Sequence, residues 1–171
     1  MIRVLIVDDQ EMIRAGLRVI IDAHPDLQVV AESGDALAAI RLLSDAEVDV
    51  VLMDIRMPGM DGVEATRRIR ATHPAPQLPI LILTTFDQDE FVLAALRAGA
   101  DGFFSKGASP TELTDGILRV AHGGRALSPT AVDALVDHVA EDRDIHVDRA
   151  AARLFGDGAA PAELRGPPGG V

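Results

Sequence analysis

The chain has no cysteine, and of its 16 lysine and arginine residues only Lys106 is a lysine. The first absence excludes a disulfide framework and thiolate metal sites, and it suits a reducing compartment. No apolar run approaches the roughly 20 residues needed to cross a bilayer, and the opening stretch, Met1-Ile2-Arg3-Val4-Leu5-Ile6-Val7-Asp8, lacks the long apolar segment of a secretory signal. A soluble, cytoplasmic protein with no membrane contact is expected. Basic charge is also scarce. A formal net charge of −11 excludes a surface that attracts nucleic acid as a whole. What is present is apolar material, 48% of 171 residues, which suffices for one full core with residues left over for a tail.

Short continuous apolar runs alternate with longer segments of helical period. Val4 to Val7, Gln28 to Ala31, Val48 to Met53, Pro79 to Leu83 and Gly102 to Phe104 read as strands. Their Val, Ile and Leu content suits parallel strands buried on both faces. Helix starts are marked where a capping residue precedes a glutamate by three positions: Asp61 with Glu64, Asp87 with Glu90, and Ser109-Pro110 with Glu112. Gly99 and Gly123-Gly124 mark helix ends. The repeat of strand and helix up to about residue 124 predicts an α/β domain with helices on both faces of a five-stranded parallel sheet.

In such sheets ligands gather beyond the carboxyl ends of the strands. Asp8-Asp9, Asp54, Thr84 and Lys106 all fall at that edge. Taken singly, each has an ordinary explanation: an N-cap, a turn residue, strand composition, a solvated lysine. Their conjunction favours phosphoryl chemistry. Two carboxylates about 5 Å apart repel by roughly 3 kcal/mol at an effective dielectric near 20, so three in one pocket invite a hard divalent cation. Magnesium takes oxygen ligands and keeps positions open for phosphoryl oxygens. A carboxylate such as Asp54 can then attack phosphorus, and Lys106 can pair with the incoming oxygens as a point charge.

The runs Val-Leu-Ile-Val-Asp-Asp (4–9), Val-Leu-Met-Asp-Ile-Arg-Met-Pro-Gly-Met-Asp-Gly (51–62), Ile-Leu-Thr-Thr-Phe (82–86) and Gly-Phe-Phe-Ser-Lys (102–106) resemble the receiver domain of bacterial two-component response regulators. The resemblance covers roughly residues 1–124. It implies a flavodoxin-like fold with strand order 2-1-3-4-5, magnesium as cofactor, and a phosphohistidine on a sensor histidine kinase as donor. By position, Asp54 is the phosphoacceptor. Asp9 and Asp54 bind the metal, with Asp8 acting through water and the Arg56 backbone carbonyl completing the set. Thr84 is the switch hydroxyl, Phe103 the switch aromatic and Lys106 the phosphate partner, while Arg56 and Phe86 tune phosphate lifetime. Such a domain is no enzyme in the ordinary sense, since it catalyses only its own phosphotransfer and autodephosphorylation. Gly107 stands where many receivers have proline, so a cis peptide is not expected after Lys106.

The wording Leu-Thr-Thr-Phe-Asp with Gly-Phe-Phe-Ser-Lys-Gly most resembles receivers of the LuxR-type subfamily, which carry a helix-turn-helix transcription domain. Here the chain departs from them, because the residues beyond Gly124 are too few for a linker and a four-helix DNA-binding module. Residues 125–145 read as a linker with an amphipathic helix from Ser128-Pro129 through Val132, Leu135, Val136 and Val139. Residues 146–171 read as a disordered tail rich in Gly, Pro and Ala. From Leu127 onward, eight acidic residues against four arginines oppose DNA binding. The segment is thus either an interaction helix on a single-domain regulator or the remnant of a truncated transcription factor. Phosphorylation-dependent homodimerisation through the first or last receiver helix is expected.

Among rival functions, a haloacid dehalogenase-type phosphatase needs a second acid where Arg56 stands. A dinucleotide-binding enzyme needs a glycine-rich turn where Asp8-Asp9-Gln10-Glu11 stands. The five histidines, His24, His73, His122, His138 and His146, show no metal spacing.

Overall fold

The computed structural model describes residues 1–85 and 89–127. The expected linker helix, the tail and Phe86 lie outside the described residues. Five β/α units follow one another: β1 (Ile2–Val7), α1 (Glu11–Asp22), β2 (Leu27–Ser33), α2 (Ala36–Asp45), β3 (Val50–Asp54), α3 (Gly62–Thr72), β4 (Ile80–Thr84), α4 (Asp89–Ala98), β5 (Gly102–Ser105) and α5 (Pro110–Ala121). All strands are parallel, in the expected order β2-β1-β3-β4-β5. A two-residue strand, β6 (Ala126–Leu127), is added beyond β5, so the described sheet runs past the boundary expected at residue 124.

Burial explains the continuous apolar runs. In β1, Val4, Leu5, Ile6 and Val7 are all fully buried, and β3 and β4 are buried throughout. Alternate residues feed opposite cores. Leu5, Val7, Val51, Met53, Ile80, Ile82 and Phe103 pack with α2, α3 and α4, whereas Val4, Ile6, Val50, Leu52, Leu81, Leu83 and Phe104 pack with α1 and α5. The edge strand β2 alternates instead, with Leu27 and Val29 buried and Gln28 and Val30 exposed, as one partly solvated edge requires.

Two of the expected caps form as read. Asp61 accepts a hydrogen bond from the Glu64 N–H at 2.9 Å, and Ser109 accepts one from the Glu112 N–H at 3.2 Å; Asp87, the third, lies outside the described residues. Strand β3 starts at Val50 rather than Val48, because Asp49 is occupied otherwise: its carboxylate accepts the Arg3 backbone N–H at 2.8 Å and the Arg3 guanidinium at 3.0 Å. Among the described residues the cis peptide is Ala75-Pro76, so Lys106-Gly107 is trans as expected.

At the end of the sheet opposite the strand-end acids, one arginine ties four segments together. Arg70 donates to the carbonyls of Gly99 (2.9 Å), His73 (3.1 Å) and Leu78 (2.6 Å) and to the Asp101 carboxylate (2.7 Å), which also accepts the Ile80 N–H. Its side chain is only 11% exposed. Removing one partner of a largely buried ion pair costs about 3 kcal/mol. Arg70→Ala is therefore expected to lower the melting temperature by roughly 6–12 °C for a domain of this size. Arg70→Lys should recover little of it, because an ammonium cannot span the fork of acceptors. Thermal unfolding of the two variants checks both statements.

Candidate functional site

Strand order reverses between β1 and β3: the chain steps from β1 outward to β2, then returns to β3 on the other side. The carboxyl ends of β1 and β3 therefore flank a crevice. Asp8 follows β1 directly and is fully buried, while Asp54 is the last residue of β3 and is 4% exposed. Asp9 is exposed at the rim. One carboxylate oxygen from each of Asp8, Asp9 and Asp54 lies within 4.8 Å of the others. Lys106, just past β5, reaches over from the far side, its ammonium 3.1 Å from Asp8 Oδ2 and 3.2 Å from Asp54 Oδ2.

Pairing of β4 with β5 places Thr84 opposite Ser105, and the Lys106 N–H donates to the Thr84 carbonyl at 2.8 Å. This bond holds the hydroxyl-bearing and amine-bearing strand ends together. Thr84 is 6% exposed, and its hydroxyl donates to the Thr85 carbonyl at 3.0 Å. The structure thus brings Asp8, Asp9, Asp54 and Lys106 together, with Thr84 at the neighbouring end of β4. Phe103 is 3% exposed and packed in the core under α3 and α4. The Arg56 side chain is exposed and turned toward α4, its guanidinium carbon 5.0 Å from the centre of the Phe91 ring.

Two contacts had no signature in the sequence. Arg14 of α1 donates to the Asp8 carbonyl at 2.6 Å, and the Gln10 N–H donates to Asp8 Oδ1 at 2.9 Å, so the turn after β1 is pinned from both sides. An arginine in an amphipathic helix reads as a solvated charge, and nothing in its spacing reveals a carbonyl six positions earlier as its partner.

Burial, and then the nearby charge of Asp8, push the Asp54 carboxyl up to about 6, against the opposing pull of the Lys106 ammonium and the Arg56 backbone N–H. Burial works to lower the pKa of Lys106, but Asp54 and Asp8 outweigh it, and the ammonium is held above its ordinary range. Asp54 is thus a carboxylate that gains from a further cation. Asp8 Oδ2 says the same in geometry, being buried without a hydrogen-bond partner. The Lys106 ammonium pairs with it as a charge at 3.1 Å, which leaves oxygen lone pairs for another positive group. Three oxygen donors with one unsatisfied atom fit a hard divalent cation such as magnesium.

A family profile described as the response regulator receiver domain matches residues 4–118. Among curated relatives, an uncharacterized transcriptional regulatory protein of Bacillus subtilis, YxjL, is 42% identical over 79% of this chain and 61% of its own length. The transcriptional regulatory protein LiaR of the same organism is 40% identical over 72% of this chain and 57% of its own. The match thus spans about three-fifths of these relatives. Of solved structures, a LuxR-family two-component response regulator from Aurantimonas superposes with a TM-score of 0.75 at 38% identity, covering 81% of this chain and 97% of the other. The isolated receiver domain of RcsB from Salmonella enterica, solved with the phosphomimetic beryllofluoride, superposes with a TM-score of 0.71 at 26% identity, covering 78% of this chain and 98% of the other.

Proposed function

Because the chain belongs to the response regulator receiver family, we propose that it accepts a phosphoryl group on Asp54 from the phosphohistidine of a sensor histidine kinase and changes conformation or self-association in response. The observation that carries this reading is the ammonium of Lys106 within 3.2 Å of two buried carboxylates, one of which keeps an unsatisfied oxygen. In the transfer, an Asp54 carboxylate oxygen bonds to phosphorus as the phosphorus–nitrogen bond to the donor imidazole breaks, and the electron pair stays with the imidazole. Lys106 pairs with the phosphoryl oxygens and holds them in place. Asp9 and Asp54, with Asp8 through water and the Arg56 carbonyl, would hold magnesium, whose charge offsets that of the phosphoryl oxygens. Water later attacks the phosphorus, the bond to the Asp54 oxygen breaks, and inorganic phosphate leaves the carboxylate free.

A phosphoryl group adds about −1.5 to −2 charge at Asp54. It draws the Thr84 hydroxyl away from the Thr85 carbonyl and toward its own oxygens. That movement opens space beside β4 for Phe103, and the surface around α4 changes with it. By the family resemblance, Arg56 and Phe86 influence how water reaches the acyl phosphate. Arg56→Ala is expected to change the decay rate of the phosphorylated protein more than its yield of phosphorylation, measured by loss of radiolabel after donor removal. Equal decay rates would defeat that role.

The output we propose is a homodimer through α1, where Met12 is 87% exposed and Val19 71% exposed, with Ala15 and Gly16 exposed between them. These positions form one stripe at helical spacing. Light scattering after size exclusion tests both steps. Magnesium with beryllofluoride should convert monomer to dimer in the wild type and leave Asp54→Asn monomeric. A wild type that binds the analogue without changing mass would leave a monomeric relay or partner-binding regulator.

A second reading is favoured by the length of the relatives, which are described as transcriptional regulatory proteins and extend beyond the match. Residues 1–124 are then the receiver of a DNA-binding regulator, with 125–145 as its linker and 146–171 as a tail. In that case this receiver joined to a DNA-binding segment would protect specific DNA when phosphorylated, and residues 1–171 alone would not.

A further inference from the structure

The contact between Arg56 and Phe91 has no part in the phosphotransfer described above. Arg56 lies two residues past Asp54 and its backbone N–H faces the Asp54 carboxyl, so the side chain starts at the edge of the pocket while its guanidinium rests on Phe91. Among the described residues no carboxylate pairs with it, and the aromatic face of Phe91 is the contact that fixes the charge. The separation of 5.0 Å from the ring centre is within the roughly 6 Å over which a guanidinium is attracted to a ring face. Beside the pair is an open cleft of about 430 Å³, lined by Arg56, Met57, Pro58, Gly59, Asp61 and Phe91. The guanidinium therefore has room to move without displacing the core.

Phe91 stands in the first turn of α4 and is half-buried, whereas Val92 and Ala95 anchor the helix at 4% and 0% exposure. We propose that Phe91 is a positioning residue for Arg56: its ring holds the guanidinium against the start of α4 and away from the pocket, and a phosphoryl group on Asp54 competes for that cation. This rests on the reading of Asp54 as phosphoacceptor. Charge-assisted hydrogen bonds to phosphoryl oxygens are stronger than an exposed ring contact, so occupying the site transfers Arg56 and frees the first turn of α4. The phosphoryl state is then read at α4 by a route separate from Thr84 and Phe103.

The test is a double-mutant cycle on the full chain, titrated with beryllofluoride in saturating magnesium and read by thermal shift. Phe91→Leu should bind the analogue two- to fivefold more tightly, about 0.5–1 kcal/mol, because the competing ring is gone. Phe91→Tyr, which keeps the ring, should behave as wild type. In an Arg56→Met background the effect of Phe91→Leu should vanish. Hydrogen exchange at the start of α4 should rise on binding in the wild type and not in Arg56→Met. The proposal is overturned if Phe91→Leu leaves affinity unchanged, or shifts it equally in both backgrounds, while the wild type binds the analogue. A wild type that does not bind beryllofluoride would instead overturn the phosphoacceptor reading, and this inference with it.

Discussion

In the presence of a chelator at about pH 7.5, Asp54→Asn is expected to melt roughly 6–12 °C above the wild type while losing all phosphorylation. The gain follows from the carboxyl's raised pKa of about 6 against an ordinary value of 3.8. A group whose pKa is higher in the folded state binds its proton more tightly there, so stability falls as pH rises through that pKa. The favourable contribution is complete below the unfolded value, declines between about pH 4 and 6, and is gone above it. The difference of about two units corresponds to roughly 3 kcal/mol. Asparagine carries no charge and escapes this cost. The two proteins should therefore converge only as pH falls below about 4, where the Asp54 carboxyl is protonated in the folded and the unfolded chain alike. Magnesium should narrow the gap at pH 7.5 by stabilising the wild type alone. Phosphorylation is lost at every pH, because the amide offers no carboxylate oxygen to form the acyl phosphate. An Asn variant no more stable than wild type at pH 7.5, or a gap that does not shrink as pH falls from 7.5 to below 4, would show that Asp54 is not held in the folded protein as an unwilling anion.

The same burial that raises Asp54 made its strand legible. Residues 50–54 are buried on both faces, so the segment reads as an unbroken apolar run ending in a charge, and an isolated charge at such a position asks for an explanation. Four apolar runs that end on a polar residue, three of them charged and one the hydroxyl of Thr84, together with the capping pairs at Asp61 and Ser109, outline the sheet and its functional edge. Strand order came from the resemblance, since local periodicity carries no information about which strands are neighbours. What remained hidden is long-range or very short. Arg14 on the Asp8 carbonyl, Arg70 on Gly99 and Asp101, and Arg56 on Phe91 are contacts between residues that only the folded backbone brings together. Helix α2 is capped by Asp35 through the Ala38 N–H, without the glutamate that marked other starts. Strand β6 spans two residues and depends on Gly102, where a Cβ would lie 2.1 Å from the Ala126 carbonyl oxygen. A glycine at the start of a short apolar run gives no sign that another strand passes across it.

Gly62 offers a sharper test of how the fold holds the site, and Gly62→Ala is expected to damage both together. A Cβ at this position would lie 2.6 Å from the Asp54 carbonyl oxygen and 2.9 Å from Ile55 Cα. Both are backbone atoms of the strand end that carries the acceptor, and the Gly62 N–H also donates to the Ile55 carbonyl at 2.8 Å. Neither neighbour can rotate away, so α3 must back off from β3 or the end of β3 must shift. Overpacking of this kind costs about 1–3 kcal/mol, partly offset by the helix preference of alanine, which is up to about 1 kcal/mol. The functional loss should exceed the loss of stability, because a displacement on the order of 1 Å at a reacting group can cost about a hundredfold in rate. Phosphorylation by acetyl phosphate should slow by tenfold or more, with urea denaturation showing a protein that is still mostly folded. Gly59→Ala is the control. Gly59 has a φ of 82°, and a Cβ added there would meet no atom within 4 Å, so the substitution brings left-handed strain without a collision. That strain costs about 1–2 kcal/mol and does not reach Asp54. If Gly62→Ala is phosphorylated at the rate of Gly59→Ala, the close packing of α3 on the end of β3 does not position the acceptor. If it alone loses the reaction, the small residue after Asp61 serves the site through the backbone of Asp54.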